Sequence, residues 1–202
     1  MSSINSVITL SEPIGSPTQI AVEKALVERA RRGDHDAFTS LVNARVASTF
    51  RTVMAILGNE SDARDVTQLI FVRAWANLPA LKDTDRFPAW FGRILANTCR
   101  SSMRGRRRRF VREISVSFLE DGGESLTTAE VGHEDRIVRL DALARAIDRL
   151  SIDERTILAL HHFDQLSLAE VGERLGIPAK TVKSRLFTAR RALERALQAE
   201  NR

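Results

Sequence analysis

The sequence predicts an all-α protein of two helical domains joined by a flexible linker. Three observations carry that expectation. Apolar residues recur at spacings of three and four through most of the chain, and no alternating strand pattern of useful length appears. Ala, Leu, Arg and Glu are abundant, while the 202 residues hold only 10 Gly and 5 Pro. Such a composition favours helices. One polar, acidic stretch with a Gly pair interrupts the helical period and separates two regular regions.

The bulk numbers set limits. A hydrophobic content of 43% supports packed cores, and with 5% aromatics and no Tyr those cores must be built from Leu, Val, Ile, Ala and Phe. The net charge of +5 says little by itself; its clustering says more. A single cysteine, Cys99, excludes an internal disulfide and a multi-cysteine zinc site, and fits a reducing compartment. Residues 1–20 contain no Lys or Arg, so they lack the basic region of a secretory signal. No run approaches the ~18 apolar residues that cross a bilayer. A cytoplasmic protein with no membrane insertion is expected.

Residues 1–20, rich in Ser, Thr and Pro, read as a flexible N-terminal tail. The first domain spans 21–112. Its clear helical period starts at Asp36, with Phe38, Leu41, Val42, Val46, Phe50, Val53 and Leu57 on one face and Gly58 as the stop. Ser61 or Asp62 is suited to cap the next helix. Ala63, Val66, Ile70, Ala74 and Leu78 mark its buried stripe, and Pro79 ends it. A third helix runs from Phe87-Pro88 to about Met103, with Trp90, Ile94 and Leu95 as apolar members.

Composition then breaks. Residues 100–112 hold seven arginines, and residues 113–135 hold seven acids with no Lys or Arg. The second stretch is the linker. An acidic linker is also suited to lie against basic surfaces when nucleic acid is absent. The second domain spans 136–202. Helical period resumes at Ile137 with Leu140, Leu143, Ile147 and Leu150. Ser151 and Glu154 have capping-box spacing, as do Ser167 and Glu170. In that arrangement each side chain satisfies an orphan amide of the first turn. Gly176 ends a short helix carrying Leu168, Val171 and Leu175. Pro178 suits the first turn of the last helix, whose stripe is Val182, Leu186, Ala189, Leu193 and Leu197.

The segment 167–193 has the layout of a helix-turn-helix, in which Val171 and Val182 face each other across a Gly-containing turn. Lys180, Thr181, Lys183, Ser184, Arg185, Phe187, Thr188, Arg190 and Arg191 crowd the outer face of the second helix. Arg and Lys reach phosphates and guanine edges, Ser and Thr contact phosphate or bases, and an apolar ring suits a thymine methyl. A solvated basic face of an ordinary hairpin is the competing reading.

Residues 86–109 combine Trp90, Phe91, Arg93, Asn97 and the arginine run. Aromatic faces stack on unpaired bases, Asn reads a base edge and Arg holds the backbone, which is the chemistry of single-strand recognition. Trp90 and Phe91 are equally suited to a core. Asp65 and Gln68 share one helical face, an exposed surface or a partner-binding one. Adjacent His161 and His162 diverge by about 100° on a helix, so they do not easily share a metal. No phosphate-binding glycine loop, nucleophile elbow or paired-carboxylate motif appears, and neither an enzyme nor a cofactor is expected.

Taken in order, these segments resemble the extracytoplasmic-function group of the sigma-70 family. The matching strings are GDHDAFTSLV, DARDVTQLIFVRAWANL, FPAWFGRILANTCRSSMRGRRRR and AIDRLSIDERTILALHHFDQLSLAEVGERLGIPAKTVKSRLFTARRAL. The resemblance implies a sigma-2 helical bundle at 21–112 and a sigma-4 helix-turn-helix at 136–202. It implies that the chain binds the RNA polymerase core through the β′ coiled coil and the β flap, recognises promoter DNA and opens it. The helix matching 62–78 would grip core with Asp65, Gln68, Leu69 and Val72; the family often has an acid where this chain has Leu69. Trp90, Arg93, Asn97, Ser101, Met103, Arg104 and Arg106 match the −10 region. Lys180, Thr181, Lys183, Ser184, Arg185, Phe187, Thr188 and Arg191 match the −35 region, and Thr188 stands where relatives can carry Arg. An anti-sigma protein is implied as a further partner. A conventional repressor or activator is the alternative that the helix-turn-helix alone would allow.

Overall fold

A computed structural model describes the backbone of residues 17–114 and 142–200, and side chains within 20–105 and 142–199. Every regular element among the described residues is helical. In chain order they are α1 (Pro17–Arg31), α2 (His35–Leu57), α3 (Glu60–Asn77), two short 3₁₀ turns (Leu78–Ala80 and Thr84–Arg86), α4 (Phe87–Ile114), a helical stretch at 142–148, α5 (Ile152–His162), α6 (Leu168–Leu175) and α7 (Ala179–Glu200).

The expected α3 stripe is observed in full: Ala63, Val66, Ile70, Ala74 and Leu78 are all buried. Together with Leu41, Val53, Ile56, Leu57, Phe87, Phe91, Leu95 and Cys99 they make one large cluster among α1–α4. Val46 departs from the expected α2 stripe and is 39% exposed. Pro79 acts as expected: α3 stops at Asn77 and the proline lies inside the following 3₁₀ turn.

The starts of several elements differ from the sequence reading. Helix α1 begins at Pro17, inside the stretch expected to be a tail. Proline at a first turn gives up an amide that has no helical partner anyway, and its fixed φ suits the helix. The N-cap of α3 is Asn59, not Ser61 or Asp62; its carboxamide oxygen accepts from the Asp62 amide at 2.9 Å. Gly58 closes α2 in the left-handed conformation, so the chain re-enters helix one residue later and leaves Asn59 as the last extended position. Helix α4 continues to Ile114, well past Met103, because the arginine run is itself helix-compatible. Helix α7 begins at Ala179, and the Pro178 carbonyl accepts its first bonds from the Thr181 and Val182 amides. The rest of the N-terminal tail, and the linker from residue 115 to 135, lie outside the described residues.

The second helical unit has a small core: Leu160, Leu166, Val171 and Val182, with Leu168, Leu175 and Ile177 packed around them. Local bonds compensate. Both capping boxes form, with Ser151 and Ser167 each accepting from and giving to their partner glutamates. Hydrogen bonds from Ser167 hold the Glu170 carboxyl below its ordinary pKa. The rings of His161 and His162 do not diverge as expected; their centroids are 4.9 Å apart, edge to face. Nδ1 of His161 meets the Leu166 carbonyl at 2.8 Å, and Nε2 of His162 meets Arg190 at 3.3 Å.

The two units are seated on each other. Ala159 joins the large cluster of the first unit, and Ile152 packs against it. Arg155, only 5% exposed, bridges them. Its guanidinium donates to the carbonyls of Leu150, Asp148 and Ile56 and pairs with the Asp148 carboxylate at 2.9 Å. Four acceptors around one buried cation offset much of its desolvation. Nearby, Thr52 of α2 donates to Asp164 at 2.5 Å.

Candidate nucleic-acid interface

The helix-turn-helix is built by its turn. Gly176 has φ 70° and its amide bonds back to the Gly172 carbonyl. Gly172 is the less obvious requirement. A Cβ there would lie 2.6 Å from the Ile177 carbonyl oxygen, so only glycine lets the turn close over α6. A glycine inside an apolar helical pattern was the available signal, and the sequence reading used only Gly176. Val171 and Val182 are both fully buried in the shared core, as expected.

That core directs the other face of α7 outward. Lys180, Lys183, Ser184, Arg185, Phe187, Thr188, Arg190 and Arg191 are exposed, and Thr181 is half-buried. Phe187 is 62% exposed, a large apolar ring among cations, with the Arg191 guanidinium 5.6 Å from its centroid. Ser184 and Thr188 spend their hydroxyl protons on the carbonyls of Thr181 and Ser184. Their oxygens still accept, and both side chains remain at the surface.

On α4 the two aromatics part company. Phe91 is buried and tilts against Phe71 at 5.5 Å and Phe87 at 5.7 Å. Trp90 is half-buried, packed on the core beside Phe87. The guanidinium of Arg45 lies over Phe87 and Phe91, and a bidentate pair with Glu23 holds it there. Core packing therefore sets the orientation of α4.

Arg93, Asn97, Arg100 and Arg104 follow at helical spacing along one side of α4, with Arg93, Asn97 and Arg104 exposed and Arg100 half-buried. Arg100 donates to the Asn97 carboxamide oxygen at 3.0 Å. The sequence reading counted Arg100 only within the arginine run; its i+3 spacing from Asn97 was the signal for a shared role. Ser101 is half-buried and donates to the Thr98 carbonyl. Met103 packs against the core, and the side chain of Arg106 lies outside the described set.

A third face lies on α3. Asp65, Gln68, Leu69 and Val72 are all exposed, with Leu69 at 39% and Val72 at 63%. Two apolar side chains left at the surface beside two polar ones form a patch distinct from both basic faces.

Comparison with known proteins shows the family of the chain. Two family models match the chain: sigma-70 region 2 over residues 41–109 and sigma-70 region 4 over residues 140–193. The ECF RNA polymerase sigma factor SigW of Bacillus subtilis is 30% identical over 184 residues, covering 87% of this chain and 96% of that protein. The RNA polymerase sigma-H factor of Pseudomonas aeruginosa is 32% identical over 183 residues, covering 87% and 94%. Among solved structures, CnrH in complex with the cytosolic domain of CnrY has a TM-score of 0.63 at 26% identity, covering 88% of this chain and 98% of that one. The sigma factor RpoE of Bartonella quintana, in complex with the anti-sigma factor NepR, has a TM-score of 0.60 at 25% identity, covering 80% and 96%.

Proposed function

The chain belongs to the extracytoplasmic-function group of the sigma-70 family and is an RNA polymerase sigma factor; on that premise, we propose which of its faces does which part of the work. The reading rests above all on two separate basic helical faces, on α4 and on α7, in one chain.

The face of α7 reads duplex DNA at the −35 element. Lys180, Lys183, Arg185 and Arg191 approach phosphates or guanine edges, Ser184 and Thr188 supply short polar contacts, and Phe187 meets an apolar base edge. Thr181 sits at the margin of the surface. A good bidentate contact discriminates between bases by about 1–3 kcal/mol. Phosphate contacts make binding salt-sensitive, at about 0.9 log units per neutralised phosphate.

The side of α4 that carries Arg93, Asn97, Arg100 and Arg104 handles the separated strand of the −10 element. Trp90, Ser101 and Met103 support it from the core side, and Arg106 extends it. Unstacking a base costs a few kcal/mol, and a surface that holds the unpaired strand repays that cost. Polymerase and −35 binding energy is thereby converted into strand opening, with no bond made or broken by this chain. The α3 patch of Asp65, Gln68, Leu69 and Val72 grips the polymerase core at the β′ coiled coil, with sigma-4 at the β flap.

The working layout is a sigma-2 unit ending near residue 112, a linker to about 135 and a sigma-4 unit beyond it. A structural relative captured with an anti-sigma factor, the sigma factor RpoE with NepR, supports an anti-sigma protein as the regulator. No helix among the described residues is long and apolar enough to cross a membrane, which is compatible with action in the cytoplasm.

Transcription reconstituted from purified core polymerase and this chain tests the reading. Promoter-specific transcripts on genomic templates are expected, and none on any template sinks it. Arg185→Ala and Phe187→Ala should each reduce −35-dependent initiation. Asn97→Ala should impair strand opening, followed by permanganate reactivity, more than core binding; equal loss of both would mean that Asn97 serves the fold instead.

A further inference from the structure

The end of α5 carries a polar pair that the −35 assignment leaves unused. His162, exposed at the last position of α5, meets Arg190 of α7, with His162 Nε2 and Arg190 Nη2 3.3 Å apart. Arginine has donors only, so Nε2 accepts and the proton of the neutral ring sits on Nδ1. Arg190 stands three residues beyond Phe187 and seven beyond Lys183, on the same side of α7. The α5 end is firmly held. His161 Nδ1 donates to the Leu166 carbonyl at 2.8 Å, and its ring meets His162 edge to face. Gln165, at φ 54°, donates to the His162 carbonyl at 2.6 Å.

We propose that His162 and Arg190 form a further phosphate site of the −35 face, which takes a backbone phosphate of duplex DNA with uptake of a proton by His162. In the free chain the charged and titratable groups that face His162 are Arg190 from α7 and His161 from its own helix. Burial first, then the Arg190 charge, then His161 hold its pKa below the ordinary histidine value. A helix C-terminus ordinarily favours an imidazolium, so these three outweigh the helix end. A phosphate reverses the balance. It gives Arg190 a better acceptor than a ring nitrogen, and the released ring becomes a second donor once charged. Two donor nitrogens 3.3 Å apart are spaced to share a single phosphate.

A pKa that is higher in the bound state than in the free state adds affinity that is fully present below the free value. That affinity is lost as pH rises through the bound value. Duplex binding at the −35 element therefore tightens as pH falls from neutral into the mildly acid range. A phosphate carries no sequence, so the gain strengthens the grip without changing which base pairs α7 prefers.

The site rests on α7 being the duplex reader, so the test separates the two. Holoenzyme is assembled from core polymerase and the full chain, as wild type, His162→Gln, Arg190→Ala or Arg185→Ala. The probe is a labelled duplex that bears the −35 element of a promoter the holoenzyme transcribes and ends short of the −10 element. Its affinity is read by anisotropy at about pH 7.5 and about pH 5.5 over a range of salt. Glutamine keeps an acceptor for Arg190 but does not charge. The ratio of wild-type to His162→Gln affinity should rise about threefold or more between the two pH values. The wild-type salt dependence should steepen by about 0.9 log units over the same interval. Arg190→Ala should weaken binding and flatten the pH response. An equal pH response in wild type and His162→Gln overturns the proton-linked site, and the α7 assignment stands if Arg185→Ala still weakens binding. Full affinity in Arg190→Ala overturns the site through its other member. Duplex binding indifferent to Arg185→Ala at both pH values overturns the α7 assignment and the site with it.

Discussion

The two helical units each present a basic helix to solvent, and they hold it by different means. The first orients α4 through bulk: a large apolar cluster in which Ile56, Ile70 and Leu78 are fully buried, with Phe87 and Phe91 anchoring α4 itself. The second orients α7 through a small apolar cluster, two capping boxes and a turn that only glycines can make. A small domain buries too little apolar surface to rely on its core, so local bonds and contact with a neighbour carry more of the load. Arg155 and Ala159 supply that neighbour contact. The difference teaches that one unit is specified by periodicity and the other by a few irreplaceable positions.

The largest effect that would sharpen this contrast comes from the cores. Leu160→Ala and Ile70→Ala each remove a fully buried side chain, at about 2–5 kcal/mol. In the small unit that loss should abolish amide-exchange protection of α7. In the large unit it should lower protection of α3 and leave the cluster folded. Loss of α1–α4 protection in Leu160→Ala to the same depth as α7 would break the comparison.

Next comes Arg155→Met, which fills space but leaves three carbonyls without their donor. A cost of about 1–3 kcal/mol is expected, since Asp148 stays solvated while the freed carbonyls do not all reach water. Urea unfolding should show the loss in the second unit. A stability unchanged within error would mean that this unit does not borrow from the first.

Ser167→Ala removes an N-cap and should cost about 1 kcal/mol. Acid adds a second reading. The Glu170 pKa is lowered by the Ser167 hydroxyl and amide, so its contribution is present above the ordinary glutamate value and is lost as pH falls through the lowered one. Wild type should lose α6 helicity on acidification through that window, and Ser167→Ala should show a smaller acid-dependent change. Equal acid sensitivity in both would detach the carboxylate from the cap.

The smallest stability change belongs to Phe187→Ala. The ring is 62% exposed, so melting should move by no more than about 0.5 kcal/mol. Initiation at −35-dependent promoters should nonetheless fall. A large drop in stability would recast Phe187 as packing.

Much of this architecture was legible because it follows a period. The α3 stripe was read residue by residue, and both capping boxes and Gly176 were visible from spacing. Helix α1 was missed because its buried positions are sparse: Val27 and Ala30 are covered while Ile20 and Val22 are exposed. Phe91 and Trp90 were ambiguous because a ring that packs and a ring that stacks on a base have the same sequence signature. The close approach of the Arg174 stem to Gly92 was invisible for another reason. It joins α4 and α6 across about eighty positions of chain, and no local pattern encodes a contact of that separation. Of the proposed interface residues, the α7 set was the more readable, since opposite faces of a single helix differ sharply in polarity.

One buried group has a consequence for how signals reach this protein. Cys99, the only thiol of the chain, lies within the large cluster, and burial pushes it up to about 12. At neutral pH it stays protonated and shielded, so peroxide and disulfide exchange find no thiolate to attack. That thiol is therefore a poor chemical handle for oxidative stress. If transcription by this factor answers to redox state, the buried Cys99 sulfur is the wrong place to look for the sensing atom.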